Sequence, residues 1–215
     1  KEKFSLTAVN SAGSGANVQA LGANTAQFAI LQGLFGSYAA TGTGPVSAPQ
    51  KNVRAVTMLW QNVEQFVISN KFVKSNRVLL KGLGIDIEKD YKPVYAGFGP
   101  SADALADGKA MGAGLGAGPP TGAVTKLMAA NAGKFTILGV TAEEAKKMDG
   151  GRNLWVPYTI KAGTYPGQTK DVNTVAQPNF LAVNADVSED HVYKLTKAIY
   201  ENLPFLQAIH KATRA

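Results

Sequence analysis

Short apolar runs alternate with helix-like periodicities along most of the chain, and that alternation predicts an α/β fold. Phe4-Ser5-Leu6-Thr7-Ala8-Val9 alternates apolar and polar positions as a half-buried strand does. Gly15 to Asn24 spaces Val18 and Leu21 for a short helix. Phe28-Ala29-Ile30-Leu31 reads as a buried strand, and Leu34 to Ala40 as the next helix. Thr41-Gly42-Thr43-Gly44-Pro45 is a loop by composition. Val53 to Leu59 and Val63 to Ser69 predict two strands joined by Trp60-Gln61-Asn62.

The same rhythm continues through the second half. Arg77 to Leu83 predicts a helix ending at Gly84, and Pro93 to Ala96 a strand. Ser101 is placed to cap a helix that stops at Gly108. Ala110 to Leu115 reads as a strand of very small side chains, and Pro119-Pro120 opens a helix through Met128. Phe135 to Val140 is a strand, and Thr141-Ala142-Glu143-Glu144 is a capping box. Val156 to Ile160 and Asn179 to Val183 are the last strands. Ser188 then caps a helix whose Glu189 and Asp190 suit its positive end. Val192, Leu195, Ile199, Leu203, Leu206 and Ile209 form one apolar stripe, with Pro204 kinking or dividing the helix. Repeated β-α units with glycine at the joints predict mostly parallel sheet.

Composition narrows the chemistry. The 215 residues are 45% hydrophobic, enough for a core in one compact domain or two small lobes. No cysteine is present, which removes disulfides, thiolate metal sites and cysteine nucleophiles together. No apolar run approaches a membrane span. Lys1-Glu2-Lys3-Phe4 is no signal-peptide core, so the protein is either cytosolic or already relieved of a leader. The net charge of +7 admits nucleic acid, anionic membrane or anionic small molecules as partners. Its basic residues are scattered, however, and no nucleic-acid motif accompanies them, so nucleic acid is not expected as a partner.

A search for catalytic motifs returns little. The chain has no P-loop, no G-x-S-x-G elbow and no H-E-x-x-H. Gly97-Phe98-Gly99-Pro100-Ser101-Ala102 mimics a dinucleotide fingerprint, but Pro100 removes an amide and no acidic residue follows at the ribose position. A tight strand-to-helix turn explains it more simply. His191 and His210 share no close patch on a helix, and no acidic partner is placed for a triad. Neither metal nor cofactor is expected. What remains is amide and glycine chemistry. Gly112-Ala113-Gly114-Leu115-Gly116-Ala117-Gly118-Pro119-Pro120 brings backbone amides to a helix start, which suits a carboxylate and suits close strand-to-helix packing equally. Gln32, just past a strand, and Trp60-Gln61-Asn62, between two strands, are typical linings for a small polar ligand and serve equally as ordinary loop residues.

Ala162-Gly163-Thr164-Tyr165-Pro166-Gly167-Gln168, with Asp171-Val172 and Thr174-Val175, resembles the hallmark of one family. That family is the TAXI solute-binding proteins of tripartite ATP-independent periplasmic (TRAP) transporters. Weaker support comes from Ala102 to Leu105 with Asp107-Gly108, Gly116 to Val124, and Val192 to Ala198 with Glu201-Asn202. In the first half, Asn17-Val18-Gln19 and Phe28 to Gln32 also fit. The resemblance implies a two-lobed fold like the type II periplasmic binding proteins, with a ligand cleft between lobes. The expected division is residues 1–69 plus 172–215 for lobe I and 70–171 for lobe II. It further implies an extracytoplasmic protein, periplasmic and either free or lipid-anchored, that hands a small organic anion to TRAP permease subunits. Family ligands include glutamate and related dicarboxylates. By this likeness Gln32, Trp60, Gln61 and Asn62 face the ligand from the first lobe, and Gly118 and Pro119 from the second. Tyr165 lies near the hinge, as a ligand contact or, more simply, a structural residue.

Two departures stand out. The family's glycine-rich segment ahead of the Phe4 strand is missing. Five residues, Lys71 to Ser75, stand where the family carries a helix, a strand and an anion-binding turn, far too few to hold them. Either residues are missing near Ser75-Asn76 and at the N-terminus, or the chain carries a true deletion that removes part of the site. The expected function is solute binding without covalent chemistry. The alternative is an α/β enzyme acting on a small carboxylate or nucleotide, which needs a reactive side chain that the motifs do not supply.

Overall fold

The computed structural model describes residues 5–71, 89, 92, 94 and 96–214. In chain order the elements are α1 (Ser14–Gly22), β1 (Phe28–Gln32), α2 (Gly33–Thr41), β2 (Val53–Val63), β3 (Phe66–Ser69), α3 (Phe98–Ala106) and β4 (Gly112–Gly114). Then follow α4 (Gly122–Ala130), β5 (Phe135–Ile137), α5 (Ala142–Asp149), β6 (Val156–Ile160), β7 (Val172–Asn184), α6 (Glu189–Glu201) and α7 (Leu203–Ile209). A 3₁₀ turn spans Lys211–Arg214.

The chain divides into two units, Lys1–Trp60 with Pro178–Ala215, and Gln61–Gln177. Unit 1 is built on Val18 and Leu21 of α1, Leu31 of β1, Ala39 of α2 and Ala182 of β7, which are buried together. Asn184, fully buried, donates to the Leu21 carbonyl at 2.7 Å, joining the Asn24 amide at 3.1 Å on that acceptor at the end of α1. Unit 2 has the larger core, with Val63, Val67, Leu105, Leu115, Val124, Leu127, Phe135, Ile137, Ile160 and Tyr165 among its buried residues.

Sheet direction departs from expectation. The pairings β1–β7, β6–β7, β3–β4 and β3–β5 all run antiparallel, where mostly parallel sheet is predicted. Apolar periodicity reports which face is buried and carries no information on strand direction. Part of the βαβ logic survives. Because β4 and β5 both oppose β3, they run the same way with α4 between them, and β3 is inserted into what would be a βαβ unit. In the other sheet β7 lies between β1 and β2. Residues 172–176 of β7 pair with β6 and residues 179–183 with β1. Pro178, which has no amide to donate, falls in the gap between those stretches.

Other boundaries shift. Residues 5–9 form no strand and are exposed, so the alternation after Phe4 has no sheet to bury it. Gly97, not Ser101, is the N-cap of α3; Ser101 sits within the helix. The helix expected from Pro119-Pro120 starts two residues later, with Thr121 at its N-cap and a cis bond joining the prolines. Trp60-Gln61-Asn62 does not join two strands: β2 runs on through it to Val63, and the break falls at Glu64-Gln65. Pro204 does divide the last helical stretch, standing in the first turn of α7. The helix expected over Arg77 to Leu83, Pro93 and Tyr95 of the strand expected over Pro93 to Ala96, and the Ser75-Asn76 link lie outside the described residues.

Candidate functional site

In unit 2 the end of β2 meets the glycine-rich segment after β4. Val63 and Ala117 form a bridge, exchanging N–H···O bonds of 3.2 and 3.1 Å, and the Leu115 amide donates to the Gln65 carbonyl at 2.8 Å. The bridge sets Gln61 and Asn62 beside Gly118 and Pro119 in the fold.

One face of this junction is closed. Gln65, with no exposed surface, donates to the Ala117 carbonyl at 3.0 Å and to the Thr121 hydroxyl at 2.9 Å. Tyr165, 2% exposed, donates its hydroxyl proton to Gln65 Oε1 and accepts from the Thr121 amide at 2.8 Å. Burial pushes the phenol's pKa up, partly offset by the Thr121 and Gln65 bonds, so it stays a neutral donor. The turn that holds Tyr165 is locked by Gln168. Its amide donates to the carbonyls of Ile160 at 3.2 Å and Lys170 at 3.1 Å, and its oxygen accepts from the Tyr165 amide at 3.2 Å. Gly163 and Gly167 take φ of 78° and 77°, which a side chain would strain. Asp171 closes the turn by accepting from the Ala162 amide at 2.8 Å and from Lys161 at 2.9 Å. The polar groups of Tyr165 and Gln65 are thus spent inside the protein.

The other face holds a carboxylate that the motif search passes over. The Glu64 backbone is fixed to β7, donating to Val175 at 2.9 Å and accepting from the Thr174 hydroxyl at 2.8 Å. Its half-buried side chain lies against Gly116. A Cβ on that glycine would stand 3.1 and 3.2 Å from the two Glu64 carboxylate oxygens and 3.3 Å from Asn62 Oδ1. Gly116 is a floor that tolerates no side chain without displacing these oxygens. Burial pushes the Glu64 pKa up from 4.5 to about 7, while a hydrogen bond from Gln177 pulls it down. Among the described residues no Lys, Arg or His pairs with it; the described ion pairs, such as Lys109–Asp107 and Lys161–Asp171, lie elsewhere. Gln61 Oε1 is buried and accepts no hydrogen bond. A lone carboxylate interrupting the apolar run Val63 to Ile68 was the sequence signal for Glu64.

Gln32 and Trp60 belong to unit 1. Gln32 ends β1 opposite Asn179 and is the N-cap of α2, and its amide donates to the hydroxyl of Ser14, the first residue of α1, at 3.0 Å. Two helix starts therefore meet at Gln32. Neither has a side-chain cap or an acidic residue in its first turn. The starts of α3 and α4 share that lack, because Thr121 spends its hydroxyl on Gln65. By contrast α5 and α6 carry hydroxyl caps, from Thr141 and Ser188, and two carboxylates each in the first turn. Trp60 is half-buried in β2. His191 and His210 are exposed, with His210 Nδ1 accepting from the Ala212 amide at 3.1 Å. Among the described residues no group of acidic residues and histidines is arranged to hold a metal.

A family model described as the NMT1-like family matches the chain over residues 1–77 and 72–215. The two matched segments overlap at residues 72–77. No curated protein matches the chain.

Proposed function

Given that the chain belongs to the NMT1-like family and is thereby a solute-binding protein of a periplasmic type, we propose that it captures a small organic anion for a TRAP-type permease. The anion is a glutamate-like amino acid or a dicarboxylate, and the chain is of the TAXI kind. The observation that carries this reading is the meeting of the α1 and α2 starts at Gln32. Helix starts carry a partial positive charge and outward-pointing amides. Where the first turn carries no carboxylate, as at α1 and α2, a solute carboxylate is the natural counter-charge. No described helix is long and apolar enough to cross a membrane, in keeping with delivery to a separate permease.

A thermal-shift panel of L-glutamate, L-aspartate, glutarate and succinate tests the ligand class. Saturation at about 100 times Kd adds about 2.7 kcal/mol to folding stability, so at least one of the four raises Tm by several degrees. No shift with any of them overturns the proposal. Partnering is read by co-purifying the chain with detergent-solubilised TRAP permease subunits.

One observation favours a second reading, an α/β enzyme. A carboxylate with pKa about 7 is tuned as a general base for neutral pH. Long incubation with each anion separates the two: a carrier returns it unchanged, whereas an enzyme leaves product.

A further inference from the structure

We propose that Glu64 is a proton-operated catch inside unit 2. Neutral, it lies down on Gly116 and holds the end of β2 against the glycine-rich segment. Ionised, with its proton given to water, it turns outward and lets that contact open. The device needs no solute, so it stands whether the chain carries one or transforms one.

Strand register sets the two residues opposite each other. β3 meets β4 with Phe66 across from Gly114, Val67 from Ala113 and Ile68 from Gly112. The Val63–Ala117 bridge and the Leu115 amide on the Gln65 carbonyl carry that register on across the break between β2 and β3. Glu64 therefore faces Gly116. Alternation along the strand puts Val63, Gln65 and Val67, all without exposed surface, on the core side, and Glu64 and Phe66 on the other. On that other side glycines make room for large neighbours. A Cβ on Gly112 would stand 2.8 Å from the Phe66 ring, and one on Gly116 3.1 and 3.2 Å from the two Glu64 carboxylate oxygens. The carboxyl group thus covers bare backbone where a cross-strand side chain would normally lie.

Its surroundings favour the neutral form. Asn62 faces it from β2, Thr174, Val175 and Gln177 from β7, and Gly116 from the glycine-rich segment; none of these titrates or carries a charge. No described ion pair includes Glu64. Gln177, 2% exposed, supplies a hydrogen bond that offsets only part of what burial takes away, and the packed carboxyl keeps its proton up to a pKa of about 7. Turned out to water it reverts to the ordinary 4.5. Between those two values the ratio of closed to open catch falls about tenfold per pH unit, because only the closed form holds the proton there.

The amides of Val63 and Ala117, which bond each other's carbonyls across the contact, and of Leu115, bonded to Gln65, report the opening. Native-state hydrogen exchange of the whole chain is measured at pH 5.5 and pH 8.5 and expressed as protection factors, which remove the intrinsic pH dependence of exchange. In the wild type these three amides lose protection tenfold or more at the higher pH. Their exchange stays flat up to about 1 M urea, the mark of a local opening that exposes little surface. Glu64→Gln keeps the shape and cannot ionise, so its loss at the same amides is less than threefold. Carbon-13 NMR of the wild type places the Glu64 carboxyl midpoint between pH 6 and 8, which tests the catch even if the variant fails to fold. A midpoint below 6 overturns the proposal. So does a wild-type loss under tenfold, a loss of threefold or more in folded Glu64→Gln, or exchange that climbs with urea as steeply as global unfolding does.

Discussion

Tyr165→Phe deletes one oxygen and strands two partners, Gln65 Oε1 and the Thr121 amide, in a fully buried place. Leaving buried polar groups unpaired costs about 1–3 kcal/mol each, so the variant loses about 2–4 kcal/mol in urea unfolding. Glu64 is the opposite case, a polar group kept incompletely satisfied. Its pKa is about 7 folded and 4.5 as the ordinary value, so between those values the native state binds more protons than the unfolded one. Its contribution is therefore greatest below pH 4.5 and is lost as pH rises through 7. The wild-type urea midpoint falls from pH 5 to pH 8, and Glu64→Gln flattens that part of the slope. Asp149 runs the other way. Burial alone would raise its pKa, but amides of Trp155, Leu154 and Asn153 at 2.7 to 3.0 Å bring it below the usual range. Its stabilisation is present above the ordinary carboxylate pKa and lost as pH falls through the lowered one. At neutral pH, Asp149→Ala loosens residues 150–155, read as faster amide exchange at Asn153, Leu154 and Trp155.

At the level of elements, what was legible was local. The box at Thr141 spans four residues, and the structure shows both of its bonds, Thr141 Oγ1 accepting from Glu144 N at 3.2 Å and Glu144 Oε2 accepting from Thr141 N at 2.8 Å. Thr141→Ala costs about 0.5–2 kcal/mol by loss of the cap, measurable as a lower Tm. Ser188 and the break at Pro204 were readable for the same reason. Strand direction was not, because β1 finds its partner in β7, about 150 residues away, and no window of sequence carries that pairing. The length of β2 was misread because Trp60-Gln61-Asn62 looks like a polar joint, whereas the strand continues through it to Val63. Glu64 was legible as a charge in an apolar run but not as a site, since its meaning depends on Gly116, 52 positions on. Gly36 shows a close approach of the same origin: a Cβ there would stand 2.6 Å from the Phe180 ring, so Gly36→Ala costs about 1–3 kcal/mol by overpacking.

For the whole molecule, burial is unevenly shared. The stripe read over Val192, Leu195, Ile199, Leu203, Leu206 and Ile209 is half-buried except for Ile209, no residue of α6 or α7 is fully buried, and Tyr193, Tyr200 and Phe205 beside it are exposed. The Thr57–Tyr200 hydroxyl bond of 2.7 Å is a tether of α6 to β2. Opening free energy follows local burial, so amides of α6 exchange well before those of β7 within unit 1. A uniform exchange rate across both would contradict this. The turn from Ala162 to Gln168 belongs at this scale as well, because its every polar arm is employed in joining β6 and β7 to the start of α4. A segment so occupied works as architecture and leaves the choice of cargo to other positions. Proteins sharing that turn can therefore be expected to differ freely in what they carry.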